Sequence, residues 1–345
     1  MAKKSNIATS RRKKEHVSIV LKEDVGFKRK TTGFERFEFE NSSLPEVNAS
    51  DIDTSVKFLG KKLNFPFLVS CMTGGYSKSH AINRILAEIC EERKIAFGVG
   101  SQRQALENPT HHKTYKIVRK IAPTIPVIGN IGAAEIANLK NVSEIQKLVD
   151  MIEANAFAVH LNPLQEYLQL EGNTNFHGVI KGIEFLVQRL SVPVIVKEVG
   201  AGISASVAQK LIDVGVNIID VAGAGGTSWA GIEITRGNEP SLTDAFWDWG
   251  IPTSDSIIQI RKLSSKIFII GSGGIRNGID ISKAIALGAN MAASAAPMLR
   301  ALKEGGEKAV HKILDLWEKE LRGAMFLTGS RNISQLRKVL LKKMS

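Results

Sequence analysis

Two neighbouring glycine-rich turns in the C-terminal third of the chain are suited to binding a phosphate. Residues 271–274 (Gly-Ser-Gly-Gly) follow an apolar run and precede a helix-like segment. Several backbone N–H groups of such a turn can converge on an anion, because no Cβ blocks its approach. Residues 294–297 (Ser-Ala-Ala-Pro) form a second small-residue turn one strand later. The two turns together predict a phosphate site, although each alone could be an ordinary strand-to-helix turn.

A lysine and three uncharged polar residues follow other apolar runs. Lys197 ends a fully apolar run, so it could form a Schiff base or hold negative charge on the N1–C2=O edge of a flavin. It could also simply pair with Glu198. Thr73, Ser101 and Asn130 offer donors and acceptors that suit the edge of a pyrimidine-like ring. With the phosphate turns, these residues favour flavin mononucleotide (FMN) as a cofactor.

One carboxylate stands among polar neighbours after the fourth apolar run. Glu166 follows Gln165, with His160 and Asn162 upstream. A single carboxylate holds Mg²⁺ most naturally when phosphate oxygens and waters fill the other positions. Glu166 could instead only complement a helix dipole. Trp229, within another glycine-rich segment, could pack in the core or screen an apolar group at the mouth of a site.

A cluster of cations and an imidazole lies near the N-terminus. Arg12, Lys13 and His16 fall within about one helical turn, ahead of an apolar segment. The cluster could deliver positive charge to a polyanionic substrate, or it could be a solvated basic tail. Residues 1–10 are predicted to be disordered. We divide the chain into a flexible basic arm over residues 1–20 and a single FMN-binding domain over residues 21–345.

The residues with chemical potential fall at the ends of eight β-runs that alternate with helix-like segments. Eight such units within about 230 residues are typical of a closed (β/α)₈ barrel, whereas a doubly wound sheet has five or six parallel strands. We therefore predict an α/β fold, a TIM barrel with an N-terminal extension, and active residues after the carboxyl ends of its strands. A hairpin that turns at Gly60 would plug the bottom. The predicted strands are residues 67–71, 95–98, 126–128, 156–160, 194–196, 218–221, 267–270 and 291–293.

Composition and charge narrow the classes of function. The 345 residues, 43% of them apolar, can bury a large core. The formal net charge is +12, but residues 1–14 hold six Lys and Arg and residues 331–345 hold five, with no acid in either segment. Because little net charge is left elsewhere, no nucleic-acid face is predicted. No apolar run has the length of a membrane span. Two cysteines without metal-ligand spacing indicate a reducing, cytoplasmic location.

Taken in order, these motifs resemble the type 2 isopentenyl-diphosphate isomerases. The resemblance implies an enzyme that interconverts isopentenyl and dimethylallyl diphosphates with reduced FMN and Mg²⁺ and without net redox change. It also implies NADPH as the reductant, a small-molecule diphosphate substrate, and a homotetramer or homo-octamer. The matching motifs are residues 12–16 (Arg-Lys-Lys-Glu-His), 72–75 (Met-Thr-Gly-Gly), 101–103 (Ser-Gln-Arg), Asn130, 160–166 (His-Leu-Asn-Pro-Leu-Gln-Glu), 196–198 (Val-Lys-Glu), 224–229 (Ala-Gly-Gly-Thr-Ser-Trp), 274–276 (Gly-Ile-Arg) and 295–297 (Ala-Ala-Pro).

The resemblance also gives individual residues a role. Lys197 would favour the anionic form of reduced FMN, Gln165 would position groups or relay a proton, and Glu233 would be a water-linked acid or base. The expected catalytic residues are Gln165, His160, Glu233 and Lys197. The expected FMN ligands are Met72, Thr73, Gly74, Ser101, Asn130, Lys197, Thr227, Gly274, Ile275, Arg276, Ala295 and Ala296. The expected substrate ligands are Arg12, Lys13, His16, Ser101, Gln102, Arg103, His160, Asn162 and Gln165, and the expected metal ligand is Glu166.

Two alternatives stay open on the sequence alone. An FMN-dependent 2-hydroxy-acid oxidase or dehydrogenase could use the same barrel, but it needs a His base and an Arg after the sixth strand. Residues 223–229 contain neither. A non-catalytic anion- or nucleic-acid-binding protein, driven by the basic termini, is the second alternative. Residues 235–253 could form a lid or a contact between subunits.

Overall fold

Short apolar strands, most of them followed by amphipathic helices, build a closed barrel. The computed structural model describes residues 2–344, with side chains from Arg12 onward. The strands are β1 Phe37–Phe39, β2 Val56–Phe58, β3 Lys61–Leu63, β4 Phe67–Val69, β5 Ala96–Gly98, β6 Val127–Gly132, β7 Ala156–Leu161, β8 Val194–Glu198, β9 Ile218–Asp220, β10 Phe268–Ser272, β11 Met291–Ser294 and β12 Leu341–Lys343.

Helices separate these strands and cover the outside of the barrel. The long helix α14 contains non-helical backbone at Gly305 and Gly306, where the chain kinks. The helices are α1 Ala2–Lys22, α2 Ser79–Arg93, α3 Arg103–Glu107, α4 Lys113–Ile121, α5 Ala133–Ile136, α6 Ser143–Met151, α7 Pro163–Leu168, α8 Val179–Arg189, α9 Ala205–Asp213, α10 Trp229–Gly237, α11 Thr243–Phe246, α12 Thr253–Leu263, α13 Gly278–Ala286, α14 Ala296–Leu327 and α15 Ile333–Leu336.

The eight-stranded parallel barrel confirms the predicted fold. Strands β4 to β11 pair in chain order, and β11 closes the ring against β4. All eight predicted β-runs are strands, but β6, β8 and β10 extend two or more residues past the predicted ends. The extension has a physical cause. Strands β6, β7 and β8 stay paired through the registers Gly132 to His160 and His160 to Lys197, and β10 stays paired with β11 through Ser272 and Ala293. Polar residues predicted to follow these strands therefore lie within their last few residues.

The barrel interior is closed at the bottom by the predicted hairpin. Strands β2 and β3 pair antiparallel around the turn at Gly60. Phe58 and Leu63 of this hairpin are buried in the same cluster as the inward-facing residues Leu68 and Ile128. The ring of Phe58 lies 5.0 Å from that of Phe268, between centroids. Solvent is thus excluded from the bottom, and the open end is the one to which the strands' carboxyl ends point.

Two arginine–asparagine pairs join helices to the bottom of the barrel. Arg119 of α4 donates to the carbonyl of Glu153 at 2.8 Å and to Asn155 Oδ1 at 2.8 Å. The same Asn155 oxygen accepts from the N–H of Val127, the first residue of β6. Arg261 of α12 makes the equivalent bond to Asn290 Oδ1 at 2.8 Å. Charge-assisted hydrogen bonds of this kind fix strand starts at two places in the barrel.

Helix α1 packs across the open end of the barrel. Its Val20 is buried with Ile232 of α10 and Leu299 of α14. Residues 2–20 of the predicted arm are helical. This helix runs to Lys22 and includes residues 2–10, which were predicted to be disordered. Its flexibility stays a prediction. Within residues 2–344, no helix combines the length and the apolar character that crossing a bilayer requires.

Candidate active site

A cavity of about 320 Å³ opens at the carboxyl ends of the barrel strands. Nearly every predicted site residue lines it, including residues as far apart in the chain as Arg12 and Ala296. The two exceptions are Gln102 and Glu233, which do not line the cavity. The position of this cavity agrees with the general rule for barrel enzymes.

Glycines let the loops after β9 and β10 pack against each other at one end of the cavity. A Cβ at Gly226 would lie 2.4 Å from the backbone nitrogen of Gly274, and one at Gly273 would lie 2.1 Å from the carbonyl oxygen of Gly223. Gly273 and Gly274 also have φ angles of 97° and 75°, which disfavour other residues. These glycines are thus needed for loop packing, in addition to leaving room for an anion.

Two arginines bring positive charge to the same end. Arg276 lines the cavity and donates to the carbonyl of Gly225 at 3.2 Å. Arg300 also lines the cavity, and its Nε donates to the carbonyl of Val20 in the last turns of α1 at 3.2 Å. Arg300 was not predicted from the sequence, although its place one turn into a helix that starts at the second small-residue turn was a usable signal. The residues present fit a phosphate group.

Lys197 is buried at the end of β8 and reaches into the cavity. Its Nζ donates to the carbonyl of Glu198 at 2.6 Å and lies 3.6 Å from Oδ2 of Asp220. Asp220 in turn accepts from the Ser272 hydroxyl. The side chain of Glu198 instead accepts from backbone N–H groups, including that of Gly200 at 2.6 Å. The ion-pair partner of Lys197 is therefore Asp220 and not the Glu198 carboxylate that the sequence suggested.

Burial raises the pKa of Glu198 to about 7. It also raises the pKa of the Cys71 thiol, which lines the cavity, to about 12. A thiol with such a pKa is protonated at neutral pH, so Cys71 is a poor nucleophile. Both described cysteines are free.

His160 lines the cavity as a neutral imidazole. Its Nδ1 lies 2.9 Å from Oδ1 of Asn130, which also lines the cavity. Burial first, and then the charges of Lys197 and Lys13, lower the pKa of His160 to about 3. An imidazole with this pKa is uncharged at neutral pH in the free protein, where it can form hydrogen bonds; the catalytic role of His160 stays a prediction.

Gln102 supports the site from outside the cavity. Its side chain is fully buried. Its Oε1 accepts from the N–H of Asn130 at 3.0 Å, and its Nε2 donates to the carbonyl of Leu148 at 3.1 Å. Both ends of the amide are therefore occupied by the protein, and the predicted role of Gln102 as a substrate ligand stays a prediction. The side chain instead holds the end of β6 in place.

A buried asparagine braces the loop after β4. The hydroxyl of Thr73 bonds to Asn83 Oδ1, and Asn83 Nδ2 donates to the carbonyl of Thr114 at 2.8 Å. Asn83 lies on α2 and Thr114 on α4, so two helices fix the position of Thr73 at the cavity wall. Asn83 was not predicted from the sequence, because its role depends on contacts between α2, α4 and the loop after β4.

The N-terminal helix brings a lysine into the wall of the cavity. Lys13 Nζ donates to the carbonyls of Ser101 at 2.7 Å and Gly74 at 3.1 Å, and to the Tyr115 hydroxyl at 3.2 Å. Burial, followed by the nearby charge of Arg12, lowers the pKa of Lys13 to about 7. Lys13 is thus placed where an added negative charge would change its protonation.

Glu166 and Asn162 form an oxygen-rich corner beside the cations. Asn162 Nδ2 donates to Glu166 Oε1 at 3.1 Å, and the N–H of Asn173 donates to Glu166 Oε2 at 2.6 Å. The Asn162 Oδ1 atom is buried and has no hydrogen-bond partner among the described residues. Within residues 2–344, no group of three or more His, Cys, Asp or Glu side chains could hold a metal ion. A cation bound here would need oxygens from a ligand or water.

Glu233 lies behind this corner. Its Oε1 is 2.8 Å from Nε2 of His16 and accepts from Gln165 Nε2 at 3.4 Å, while its Oε2 accepts from Arg236 at 2.9 Å. Burial favours the neutral acid, but the contacts with His16 and Arg236 outweigh it and lower the pKa of Glu233. The ring of His16 meets that of Trp229 edge-on, with centroids 5.2 Å apart. Glu233 is therefore an ionised group that does not line the cavity but contacts Gln165, which does.

Arg103 completes the polar end of the cavity. It forms ion pairs with Glu107 at 3.0 Å and Glu135 at 2.9 Å. Burial raises the pKa of Glu135. The cavity thus has a glycine-lined cationic end, a central lysine, and an opposite polar end with arginines, Lys13 and the Glu166 carboxylate.

Comparison with known proteins shows the family of the chain. A family model for FMN-dependent dehydrogenases matches residues 8–121 and 138–343. An isopentenyl-diphosphate delta-isomerase of Pelodictyon phaeoclathratiforme is 45% identical, with 99% of this chain and 100% of the relative covered. Another of that name from Chlorobium phaeobacteroides is 46% identical, with 97% and 95% covered. One from Nostoc is 45% identical, with 95% and 94% covered.

Solved structures share the fold at low sequence identity. A structure described as a lactate oxidase of Pediococcus acidilactici is 15% identical with a TM-score of 0.70, covering 99% of this chain and 94% of that one. A variant of mandelate oxidase with benzaldehyde is 17% identical with a TM-score of 0.66, covering 98% of each chain. At these identities only the fold is shared. The chain belongs to the family of FMN-dependent dehydrogenases and, with its full-length relatives, to the isopentenyl-diphosphate delta-isomerases, and it is an FMN-dependent isomerase.

Proposed function

We propose that this enzyme interconverts isopentenyl diphosphate and dimethylallyl diphosphate, with reduced FMN and Mg²⁺, as a step in isoprenoid biosynthesis. The observation that carries the proposal is the pairing of two anion-binding ends in one cavity, with Lys197 between them. One end is built from glycines and small residues, and the other from Arg12, Lys13 and Arg103. A cofactor phosphate suits the first end and a diphosphate suits the second.

The donor set fits FMN. The backbone at Gly274, Ala295 and Ala296 and the side chain of Arg276 would hold the phosphate, because they line the glycine-rich end. Thr73 and Asn130 would hold the ring edge through uncharged polar groups. Met72, Gly74, Ser101, Thr227 and Ile275, which line the same cavity, complete the proposed set. The chemistry that reduced FMN supplies when bound is an electron-rich, anionic ring that stabilises positive charge on an allylic substrate.

The corner at Glu166 fits one Mg²⁺ ion. The carboxylate and the unpartnered Asn162 Oδ1 are hard oxygen ligands of the kind that Mg²⁺ prefers. Because a single carboxylate and an amide oxygen do not fill the coordination sphere, diphosphate oxygens and waters would have to complete the octahedron. Glu166 would then orient the diphosphate, and Arg12 with Arg103 would neutralise its remaining charge.

Different residues would move the proton, balance charge and enclose the substrate's apolar chain. Gln165 has no acidic proton, so it would orient a water or substrate and connect the cavity to ionised Glu233. Glu233, with its lowered pKa, is suited to accept a proton rather than to donate one. Lys197 would supply a fixed positive charge next to the ring, and His160 would act as a neutral hydrogen-bonding group. Trp229 would exclude water from the C5 chain.

Three further assignments belong to this proposal. We infer NADPH as the reductant, on the resemblance to the type 2 enzymes. We infer a cytoplasmic enzyme, which the two free cysteines support. We infer a homotetramer or homo-octamer, and the strongly exposed Tyr167, Leu170 and Trp249 offer apolar surface for subunit contact.

Purified protein tests the proposal directly. We expect it to bind FMN with a flavin absorption spectrum, and to isomerise isopentenyl diphosphate only when FMN is reduced and Mg²⁺ is present. Deletion of residues 1–16 should abolish turnover and leave FMN binding intact, because the phosphate end is built by other segments. Protein that takes up no FMN, or that turns over a 2-hydroxy acid in place of the diphosphate, would exclude the proposed activity.

A further inference from the structure

One arginine joins three parts of the chain behind the cavity. Arg236 of α10 is almost completely buried, with a side chain 9% exposed. Its Nε lies 3.1 Å from a carboxylate oxygen of Glu15 in α1, and its second nitrogen donates to Glu233 at 2.9 Å. The third nitrogen donates to both oxygens of Glu171, at 2.6 Å and 2.8 Å. Three carboxylates from three elements therefore converge on one guanidinium.

The contacts use the geometry that only arginine offers. A guanidinium presents five N–H donors in a rigid plane, so it can bind carboxylates in three directions at once. A lysine at position 236 would carry the same charge but no planar fork, and it would not hold Glu15, Glu171 and Glu233 in the same arrangement. The position thus requires shape as well as charge.

Each of the three carboxylates lies near a group of the proposed reaction. Glu15 belongs to helix α1, which carries Arg12 and Lys13. Glu233 contacts Gln165 and lies beside His16 of the N-terminal helix. Glu171 belongs to the loop whose next residue, Gly172, packs so closely that a Cβ there would meet the Glu166 carbonyl at 1.8 Å. The arm, the metal-site loop and the buried carboxylate are therefore linked to one side chain.

A second contact joins the same segments in parallel. With its amide oriented to satisfy both neighbours, Gln169 donates to Glu233 Oε1 at 3.2 Å and accepts from Arg12 at 3.0 Å. In each of these bonds one partner is a neutral amide. The bonds of Arg236 have a charge on both partners, and hydrogen bonds between charged groups are the stronger kind.

We propose that Arg236 is a positioning residue that fastens helix α1, the loop around Glu171 and the Glu233 carboxylate into one closed arrangement. Closing of the arm over the substrate and alignment of Gln165 with Glu166 are then a single event. This inference rests on the proposed isomerase function, and it assigns Arg236 no contact with substrate or cofactor.

The test compares four variants of the full-length FMN-bound protein with one control variant. Arg236→Gln removes the charge and the fork, whereas Arg236→Lys keeps the charge alone. Glu15→Gln weakens the contact of Arg236 with the arm, and Glu171→Gln weakens its contact with the loop. Arg84→Gln is the matched control, because it breaks a surface ion pair with Glu88 on α2, away from the cavity. The measurements are kcat and KM for isopentenyl diphosphate, and the rate of amide hydrogen exchange in residues 12–22.

We expect Arg236→Gln to lower kcat about 50-fold or more, and Arg236→Lys to recover less than about a tenth of that loss. Amide exchange in residues 12–22 should become about tenfold faster in Arg236→Gln. Glu15→Gln should mainly raise KM and speed exchange, while Glu171→Gln should mainly lower kcat. Arg84→Gln should match the wild type in every measurement.

The inference is wrong if Arg236→Lys is as active as wild type, or if Arg236→Gln leaves exchange in residues 12–22 unchanged. If Arg236→Gln does not retain FMN, the Glu15→Gln and Glu171→Gln variants test the inference in its place, since both carboxylates are partly exposed and their substitution should leave the fold intact. Wild-type protein without isomerase activity would refute the proposed function instead. The exchange measurement does not depend on turnover and would still test the connection to the arm.

Discussion

Binding of a diphosphate should make the protein take up a proton through Lys13. In the free protein, burial and Arg12 lower the pKa of Lys13 to about 7. A diphosphate beside the ammonium would favour the charged form and return the pKa toward its ordinary value near 10.5. Because the bound state then holds more protons than the free state, binding and proton uptake are linked.

The expected size of the effect follows from the pKa of about 7. At pH 8 free Lys13 holds about 0.1 proton and bound Lys13 about 1, so the uptake is about 0.9 proton per substrate. The uptake should fall to about 0.5 at pH 7 and about 0.1 at pH 6. Above pH 7 the substrate affinity should fall about tenfold per pH unit. In the free protein His160, with a pKa of about 3, is neutral over this range.

Calorimetric titration in buffers of different ionisation enthalpy measures the proton uptake. The oxidised FMN enzyme with Mg²⁺ should be titrated with isopentenyl diphosphate at pH 8, where phosphate groups with a pKa of about 6 have already lost their protons. Lys13→Arg is the matched control, because its guanidinium stays charged in the free protein and leaves no proton to take up.

Two results would refute this reasoning about Lys13. One is an uptake near zero at pH 8 in the wild type, which would mean that Lys13 is already charged. The other is equal uptake in Lys13→Arg, which would place the titrating group elsewhere in the site.

Three further predictions concern the metal, the cofactor loops and the barrel. Glu166→Gln should lower kcat/KM about 100-fold or more and raise the Mg²⁺ concentration needed for half-maximal activity, because an amide is a weaker Mg²⁺ ligand than a carboxylate. Turnover measured over a range of Mg²⁺ concentrations tests this. An unchanged Mg²⁺ dependence would refute the assignment of Glu166 as the metal ligand. Gly226→Ala should weaken FMN binding, measured by flavin fluorescence, and destabilise the fold by about 1–3 kcal/mol, because the added Cβ would lie 2.4 Å from the Gly274 nitrogen. The control is Gly60→Ala, which adds a Cβ at an open turn where the positive φ also strains an alanine. It should leave FMN affinity unchanged. Arg119→Ala should lower the free energy of unfolding in urea by about 3 kcal/mol through its lost charged hydrogen bonds, whereas Arg84→Ala should change it by less than about 1 kcal/mol.

The sequence predicted the elements of the fold well, because each strand and helix is set by a short-range pattern. All eight barrel strands and the plugging hairpin lie where apolar runs and turn residues place them. The ends of β6, β8 and β10 were missed, since they depend on pairing with neighbouring strands. The helix at residues 2–22 was also missed, because its packing partners come from distant parts of the chain.

Contacts between residues that are far apart in the chain were the part of the site that the sequence did not predict. Gln102 and Glu233 carry side chains suited to the cavity, yet both are occupied by buried contacts behind it. Lys197 faces Asp220 and not the adjacent Glu198 carboxylate, although the latter is its neighbour in the chain. Spacing along the chain shows which groups share a rim, but it does not show which of them touch.

The sequence by itself determined the barrel and the identity of the polar residues on its open rim. The alternation of strand and helix is local, and strands that run parallel present their carboxyl ends on one side. Only the tertiary structure decided which of those residues face the cavity and in what protonation state. Burial and charge at a given atom come from residues brought together by folding, as in the lowered pKa values of Lys13 and His160. The convergence of Glu15, Glu171 and Glu233 on Arg236 has the same origin, since these residues meet only when the chain is folded.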